Sequence, residues 1–411
     1  MDGKAVIPPE LSFAARWFSE YYETHRVEEV PGFRGREFGF MFFDRGYVHR
    51  HLGFQDRSEL GRYLADRAPS HAYYSTAYYE RPGARTMAEK GWLGADLIFD
   101  LDADHVKGSE GLPYEQMLLK VKEQMIRLYD GFVCSDLGFG EDETEIVFSG
   151  GRGYHIHVYA ESVRKLGSHE RREIVDYITA ADIDLGLLLS TTVVREGTRG
   201  KLLRSTRLPL ASDGGWYGKS RMAINRLLDD LGKMTREEAV DLLVAEGMKK
   251  SQANRTYSLL FEEGRKEIML RDSILDSLTE KDDELKRFLL VLQKKTIELM
   301  SGQTDEPVTS DIHRLIRLPG SLHGKTSLRV VSLTRDELTG FDPLRDASAD
   351  FPDETVRVYS TSSFTSEPVG GEAAAVKEGF NELPVRTALF LLLRRKVTLQ
   401  PPARKADVQQ S

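Results

Sequence analysis

The sequence predicts an α+β fold: a mixed β/α lobe interrupted by an inserted helical lobe. Three observations carry this. Strand-like segments and amphipathic helices alternate irregularly over the first 220 residues. Strand patterns then vanish from about Arg221 to Met300, where apolar residues recur near helical period. A mixed pattern returns after Gly302. The division expected is 1–220 for the first part of the β/α lobe, 221–300 for the helical insertion, 301–400 for the second part with a C-terminal helix, and 401–411 for a disordered tail. A chain of 411 residues is also too long for one compact core.

In order, "LSFAARWFSEYYETH" (11–25) reads as an aromatic-rich amphipathic helix. "REFGFMFF" and "YVHRHLGF" read as strands joined at Asp44–Gly46, a hairpin signal. A helix is expected around "RSELGRYLADRAP", and "HAYYSTAYYERPG" is strand-like up to its Pro-Gly turn. "DLIFDLDAD" is the clearest strand, "YEQMLLKVKEQMIRLYDGF" a helix, and "EIVFSGGRGYHIHVYA" a strand, glycine turn and strand. Thr235 and Glu238 have capping-box spacing, with Gly247 as a stop. Leu285, Phe288, Leu289, Leu292 and Leu299 mark a further helix, and "TSSFTSEPVGGEAAA" a polar loop.

The totals narrow the function classes. With 30% charged and 40% hydrophobic residues the chain has an ordinary globular composition. Its net charge of −8 requires any nucleic-acid-binding surface to be local or supplied by a partner. The single cysteine, Cys134, permits neither an internal disulfide nor a cysteine-rich zinc site, and reads as a small residue in or near the core. The N-terminus lacks the basic and apolar regions of a signal peptide, and the densest apolar run, Ala388–Leu393, is far short of a membrane span. A soluble cytoplasmic protein is expected.

The stretch "LIFDLDADH" carries the chemistry. On a strand, Leu97, Phe99 and Leu101 share one face, and Ile98, Asp100 and Asp102 the other. Two carboxylates on one face repel unless a cation lies between them, and Mg²⁺ or Mn²⁺ suits oxygen donors that also meet phosphates. A bare D-x-D is equally the solvated end of a strand, but the apolar run fixes which face the acids take. Asp104 lies past that run and reads as a loop residue.

Three more clusters follow. "SGGRGYHIHVY" combines a tight glycine turn with Arg152, whose guanidinium suits phosphate, and with His155 and His157 on one strand face. One reading of the two is an H-x-H metal pair, but no third ligand lies nearby in sequence, and His155 is read rather as a hydrogen-bonding partner of a phosphate or the reacting hydroxyl, with His157 structural. "HRLIRLPGSLHGKTSL" sets Arg314, Arg317, His323 and Lys325 around a Pro-Gly turn, a candidate triphosphate clamp. Its "GKT" lacks the upstream glycine of a P-loop. Glu37 and Arg50, on the first strands, are weak signals singly.

The order of "REFGF…YVHRHLGF", "FDLDAD", "FSGGRGYHIHVY" and "TDEPVTSDIHRLIRLPGSLHGKTSL" resembles the small, catalytic subunit of archaeal and eukaryotic-type DNA primases, from about Ser12 to Leu333 and more loosely over the C-terminal "RTALFLLLRRK" helix. The resemblance implies two metal ions, Mg²⁺ or Mn²⁺, held by three aspartates. Asp100 and Asp102 match the first two; Asp305 and Asp311 are offered for the third, and the surrounding pattern favours Asp305. It further implies nucleotide contacts from Ser149, Arg152, His155, Arg317 and His323, with Lys325 beside them and Glu37 and Arg50 on the first strands. The zinc knuckle of many members has no counterpart in "HVKGSEGLPYEQM", so no zinc is expected. The implied activity is template-directed synthesis of short primers from nucleoside triphosphates on single-stranded DNA, with the primase large subunit as partner and no membrane. Two alternatives stand beside it: a phosphatase or phosphotransferase with Asp100 as nucleophile, and a non-catalytic nucleic-acid-binding subunit.

Overall fold

A computed structural model of the chain describes residues 8–181, 183, 190–196, 202–210, 212–275 and 282–401. The first seven residues, where a leader would begin, and the tail from 402 lie outside them. The chain forms two compact units. One comprises the described residues of 1–129, 139–173 and 303–411, the other those of 130–138 and 174–302.

The first unit is built on two antiparallel four-stranded sheets. One has the order Leu315–Arg317, His71–Ser75, Phe38–Met41, Val48–Leu52. The hairpin expected at Asp44–Gly46 is its outer pair, with an irregularity between Phe38 and Phe40. The other has the order Val331–Leu333, Thr144–Phe148, Gly153–Val158, Leu97–Asp102. Phe38, Phe40, Tyr74 and Ile316 from the first sheet and Ile98 from the second share one buried cluster with the helix Pro9–Thr24. Burying a Leu, Ile or Phe side chain contributes roughly 1.5–3 kcal/mol, so this seam is a main source of the unit's stability.

Alternation decides what the second sheet presents. Leu97, Phe99 and Leu101 are fully buried, while Asp100 and Asp102 are partly exposed on the opposite face. The helix Tyr114–Leu128 packs on this sheet, burying Leu118, Val121, Met125 and Leu128 at helical spacing. The C-terminal helix Val385–Leu393 packs on Pro9–Thr24 through Trp17, Val385 and Leu389.

The second unit holds an antiparallel strand pair, Ser190–Glu196 with Leu202–Arg207, that periodicity did not reveal. Among the described residues, five helices of at least eight residues follow between Gly215 and Met300. Ile224, Leu228, Leu243, Leu260, Phe288 and Leu292 are among the residues of its core. Thr235 and Glu238 close the capping box of the helix Arg236–Ala245. Among the described residues, no helix is long and apolar enough to cross a membrane.

Candidate active site

Pairing between Leu97–Asp102 and Gly153–Val158 sets Asp100 opposite His155 and Asp102 opposite Gly153. A third carboxylate arrives from a distant segment. The Asp305 N–H donates to the Asp100 carbonyl at 2.9 Å, and the Thr304 hydroxyl donates to the same oxygen at 3.2 Å. Asp305 begins the short helix Glu306–Ser310, and Asp311 stands at its other end. There the Asp311 carboxylate accepts from the His313 N–H at 2.9 Å, and its charge bears on Tyr79 and His313 rather than on Asp100. The backbone thus brings Asp305, not Asp311, to the D-x-D strand.

Each carboxylate has a basic side chain nearby, and Asp102 Oδ1 also accepts from the Asp104 N–H at 3.2 Å. Asp100 Oδ1 lies 3.3 Å from His155 Nε2, Asp102 Oδ1 lies 3.3 Å from Arg152 Nη2, and Asp305 Oδ2 lies 3.8 Å from His105 Nδ1. Among the described residues, no three His, Cys, Asp or Glu side chains converge as a ready-made metal cage. The electrostatics nonetheless favour added positive charge. Burial, then the charges of Asp102 and Asp305, push the Asp100 carboxyl up to about 7. Burial, followed by Arg317 and Arg314, holds His155 down at about 3, so the ring beside Asp100 is a neutral imidazole rather than a cation. A carboxylate whose charge is disfavoured by burial and by two neighbouring carboxylates contributes hard oxygen donors of the kind that suit Mg²⁺ or Mn²⁺.

Asp100 and Asp102 line a cavity of about 800 Å³. Its wall is the glycine turn. The Ser149 hydroxyl accepts from the Gly151 and Gly153 N–H groups, both at 3.3 Å, and so braces the turn from within. A side chain at 151 would meet His323 Nε2 at 2.9 Å, and one at 153 would strike the Leu101 carbonyl, so the strands close only with glycine there. Arg152 leaves the turn to meet Asp104, Nη1 to Oδ1 at 2.9 Å, with its second nitrogen shared between Asp104 and Asp102. Asp104 is therefore no bystander in a loop: it forms a bidentate pair with the guanidinium.

The basic loop forms the facing wall, with Arg314, Arg317, His323 and Lys325 all at the cavity. Arg317 Nη1 lies 2.6 Å from His71 Nδ1, which also accepts from the Gly324 N–H at 3.1 Å. Burial and Arg317 keep His71 neutral, pushed down to about 2. The His323 ring packs edge-on to His71, its Nδ1 within 3.4 Å of the Lys325 N–H. The other nitrogen, beside Gly151, is left to carry the proton, a donor for a phosphate oxygen.

Not every expected residue reaches the cavity. Glu37 is fully buried, its carboxylate held by Arg50 at 3.2 Å to each oxygen, by the His51 N–H at 2.9 Å and by Lys90 at 3.1 Å. Neither Glu37 nor Arg50 lines the cavity; Arg50 instead reaches the His313 carbonyl at 3.1 Å. His157 is buried under Tyr74, whose hydroxyl lies 3.1 Å from Nδ1. Sequence reasoning missed Tyr73, Tyr114 and the segment Leu393–Lys396, all on the cavity wall. The dense "RRK" after an apolar helix was the available signal for the last of these.

Comparison with known proteins bears on this geometry. A family model described as DNA primase small subunit matches residues 99–335, from the D-x-D strand through the basic loop. The chain is 40% identical over 400 residues to the DNA primase small subunit of Methanocella arvoryzae, covering 95% of this chain and 98% of that one. It is 42% identical over 381 residues to that of Methanothrix thermoacetophila, covering 92% and 95%. With the Halorubrum lacusprofundi protein of the same name it shares 37% over 391 residues, covering 93% and 96%.

Proposed function

The chain belongs to the family of DNA primase small subunits, and from that premise we propose how its own residues carry out nucleotidyl transfer. It is the catalytic subunit of a DNA primase. The observation that carries the mechanism is the meeting of mutually repelling carboxylates with a wall of cations across one cavity of about 800 Å³, room for a nucleoside triphosphate.

Asp100, Asp102 and Asp305 would hold two divalent cations, Mg²⁺ or Mn²⁺. When bound, these supply Lewis acidity toward the 3′-hydroxyl and the triphosphate. In the reaction the 3′-oxygen forms a bond to the α-phosphorus, the bond to the pyrophosphate oxygen breaks, and the hydroxyl proton is released. Arg317 and Lys325 neutralise the triphosphate, while His323 donates from its outer nitrogen. Arg152 supplies a planar fork at the same wall once a phosphate competes with Asp104 for it. Ser149 keeps the glycine turn closed, and His155 orients the Asp100 carboxylate. Glu37 and Arg50 act one layer back, fixing the strand pair behind the basic loop. The substrates proposed are nucleoside triphosphates on a single-stranded DNA template, with the primase large subunit sharing the template grip that a chain of net charge −8 supplies only locally.

The test is incubation of the pure chain with single-stranded DNA, labelled nucleotides and Mg²⁺ or Mn²⁺, with products sized on a gel. Metal-dependent, template-dependent oligomers are expected. Metal-independent template binding with no incorporation overturns the mechanism in favour of a non-catalytic binding role. Burst formation of an aspartyl-phosphate would instead make Asp100 a nucleophile.

A further inference from the structure

One part of the cavity rim lies outside the four motifs that carry the resemblance. The helix Val385–Leu393 ends at the cavity, which Leu393, Arg394, Arg395 and Lys396 line. The helix stops in a Schellman arrangement. The Lys396 N–H donates to the Leu391 carbonyl and the Arg395 N–H to the Leu392 carbonyl, both at 2.9 Å. This geometry puts Arg395 in the left-handed region, at φ +58°. There a Cβ crowds the following carbonyl oxygen, which is why glycine is the usual residue at that position.

The chain spends an arginine where glycine would sit without strain, and the helix does not explain the choice. Cations near a helix C-terminus are favoured by the macrodipole, but Arg394 and Lys396 on either side already meet that preference. Arg394 is otherwise occupied: its guanidinium lies 4.1 Å over the Tyr114 ring and 3.3 Å from Glu367. Tyr114 in turn donates to the Gly151 carbonyl, tying the helix end to the glycine turn. Beyond the turn Val397 is buried, and Thr398 exchanges backbone hydrogen bonds with Tyr359 at 2.7 and 2.9 Å. The segment is thus fixed on both sides. Arg395 and Lys396, between these anchors, are exposed and make no ion pair among the described residues.

We propose that Arg395 and Lys396 form a phosphate grip on the cavity rim, and that the strained arginine is kept for that contact. The ligand is a phosphate group, either of the incoming nucleoside triphosphate or of the DNA strand that enters with it. The inference rests on reading the cavity as the nucleotide site.

The test uses Arg395→Gly, Lys396→Ala and the double variant in the full chain. Arg395→Gly relieves the left-handed strain, so its thermal midpoint should equal or exceed that of the parent. Two affinities are measured: Mg²⁺–ATP by calorimetry, and a fluorescent oligo(dT) by anisotropy over a salt series. Loss of a charged hydrogen bond should weaken one of them by roughly 10-fold or more, with Arg395→Lys retaining part of it. A loss confined to ATP assigns the grip to the triphosphate. A loss for oligo(dT), with the salt slope reduced by about 0.7 for each lost contact, assigns it to the strand. Parent-like affinity for both ligands in the double variant overturns the proposal. The two readings fail separately: a fully active Asp100→Asn chain would remove the cavity as the reaction centre, whereas the grip stands or falls on affinity alone.

Discussion

The carboxylates of Glu37, just ahead of the strand Phe38–Met41, and Asp100, on the strand Leu97–Asp102, lie in the same unit and are both largely withdrawn from water, yet their surroundings are opposite. Glu37 has two cationic side chains and a backbone N–H within 3.2 Å, and although burial works against its charge, these partners hold its pKa below the usual range. Asp100 has one neutral imidazole at 3.3 Å and two further carboxylates whose charges reach it. A buried carboxylate that the protein neutralises is architecture, because its binding capacity is spent. Carboxylates left to repel one another at a cavity edge favour positive charge from outside, and that is the ground on which they are proposed as the site.

The comparison is broken most severely at the acidic cluster. Asp100→Asn, Asp102→Asn and Asp305→Asn should each lower nucleotide incorporation by about a thousandfold or more, since cation-assisted stabilisation is worth several kcal/mol. Relief of repulsion should leave the thermal midpoint unchanged or raised. Full activity in Asp305→Asn with a dead Asp311→Asn would exchange the third ligand. Glu37→Gln should do the reverse. It strands Lys90 and should cost about 3 kcal/mol in urea unfolding, with the specific activity of the folded fraction retained. Lost activity at parental stability would instead return Glu37 to the nucleotide site.

Smaller effects sharpen the contrast. Arg317→Ala and His323→Ala should lower kcat/KM for nucleotide by roughly 10- to 150-fold while affinity for single-stranded DNA without nucleotide barely moves. The opposite pattern would put these side chains on the template path. The smallest effect concerns pH. An Asp100 carboxyl at about 7 when folded binds a proton that the unfolded chain, at the ordinary 3.8, has already released. Its contribution is therefore complete below about 4 and is lost as pH rises through 7. In chelator the thermal midpoint should fall between pH 5 and 8, and Asp100→Asn should flatten that dependence. A parental slope in the variant would place the titrating group elsewhere.

The sequence by itself determined the α+β class, the strand that carries Asp100 and Asp102 on one face, and the glycine turn with Ser149, Arg152 and His155. These are local matters: alternation, periodicity and turn chemistry act over a few residues, so they can be read from a few residues. The family was legible for the same reason, as four short motifs in order. Only the tertiary structure put the Asp305 backbone, rather than that of Asp311, beside the strand, because a hydrogen bond to the Asp100 carbonyl depends on where a distant segment docks. It alone turned Glu37 and Arg50 away from the cavity, gave Asp104 to Arg152, and carried Arg395 and Lys396 to the rim. A charged side chain has no periodicity that announces its partner. Which charge it meets is set by the packing of apolar surfaces far from it, and that information is spread over the whole chain.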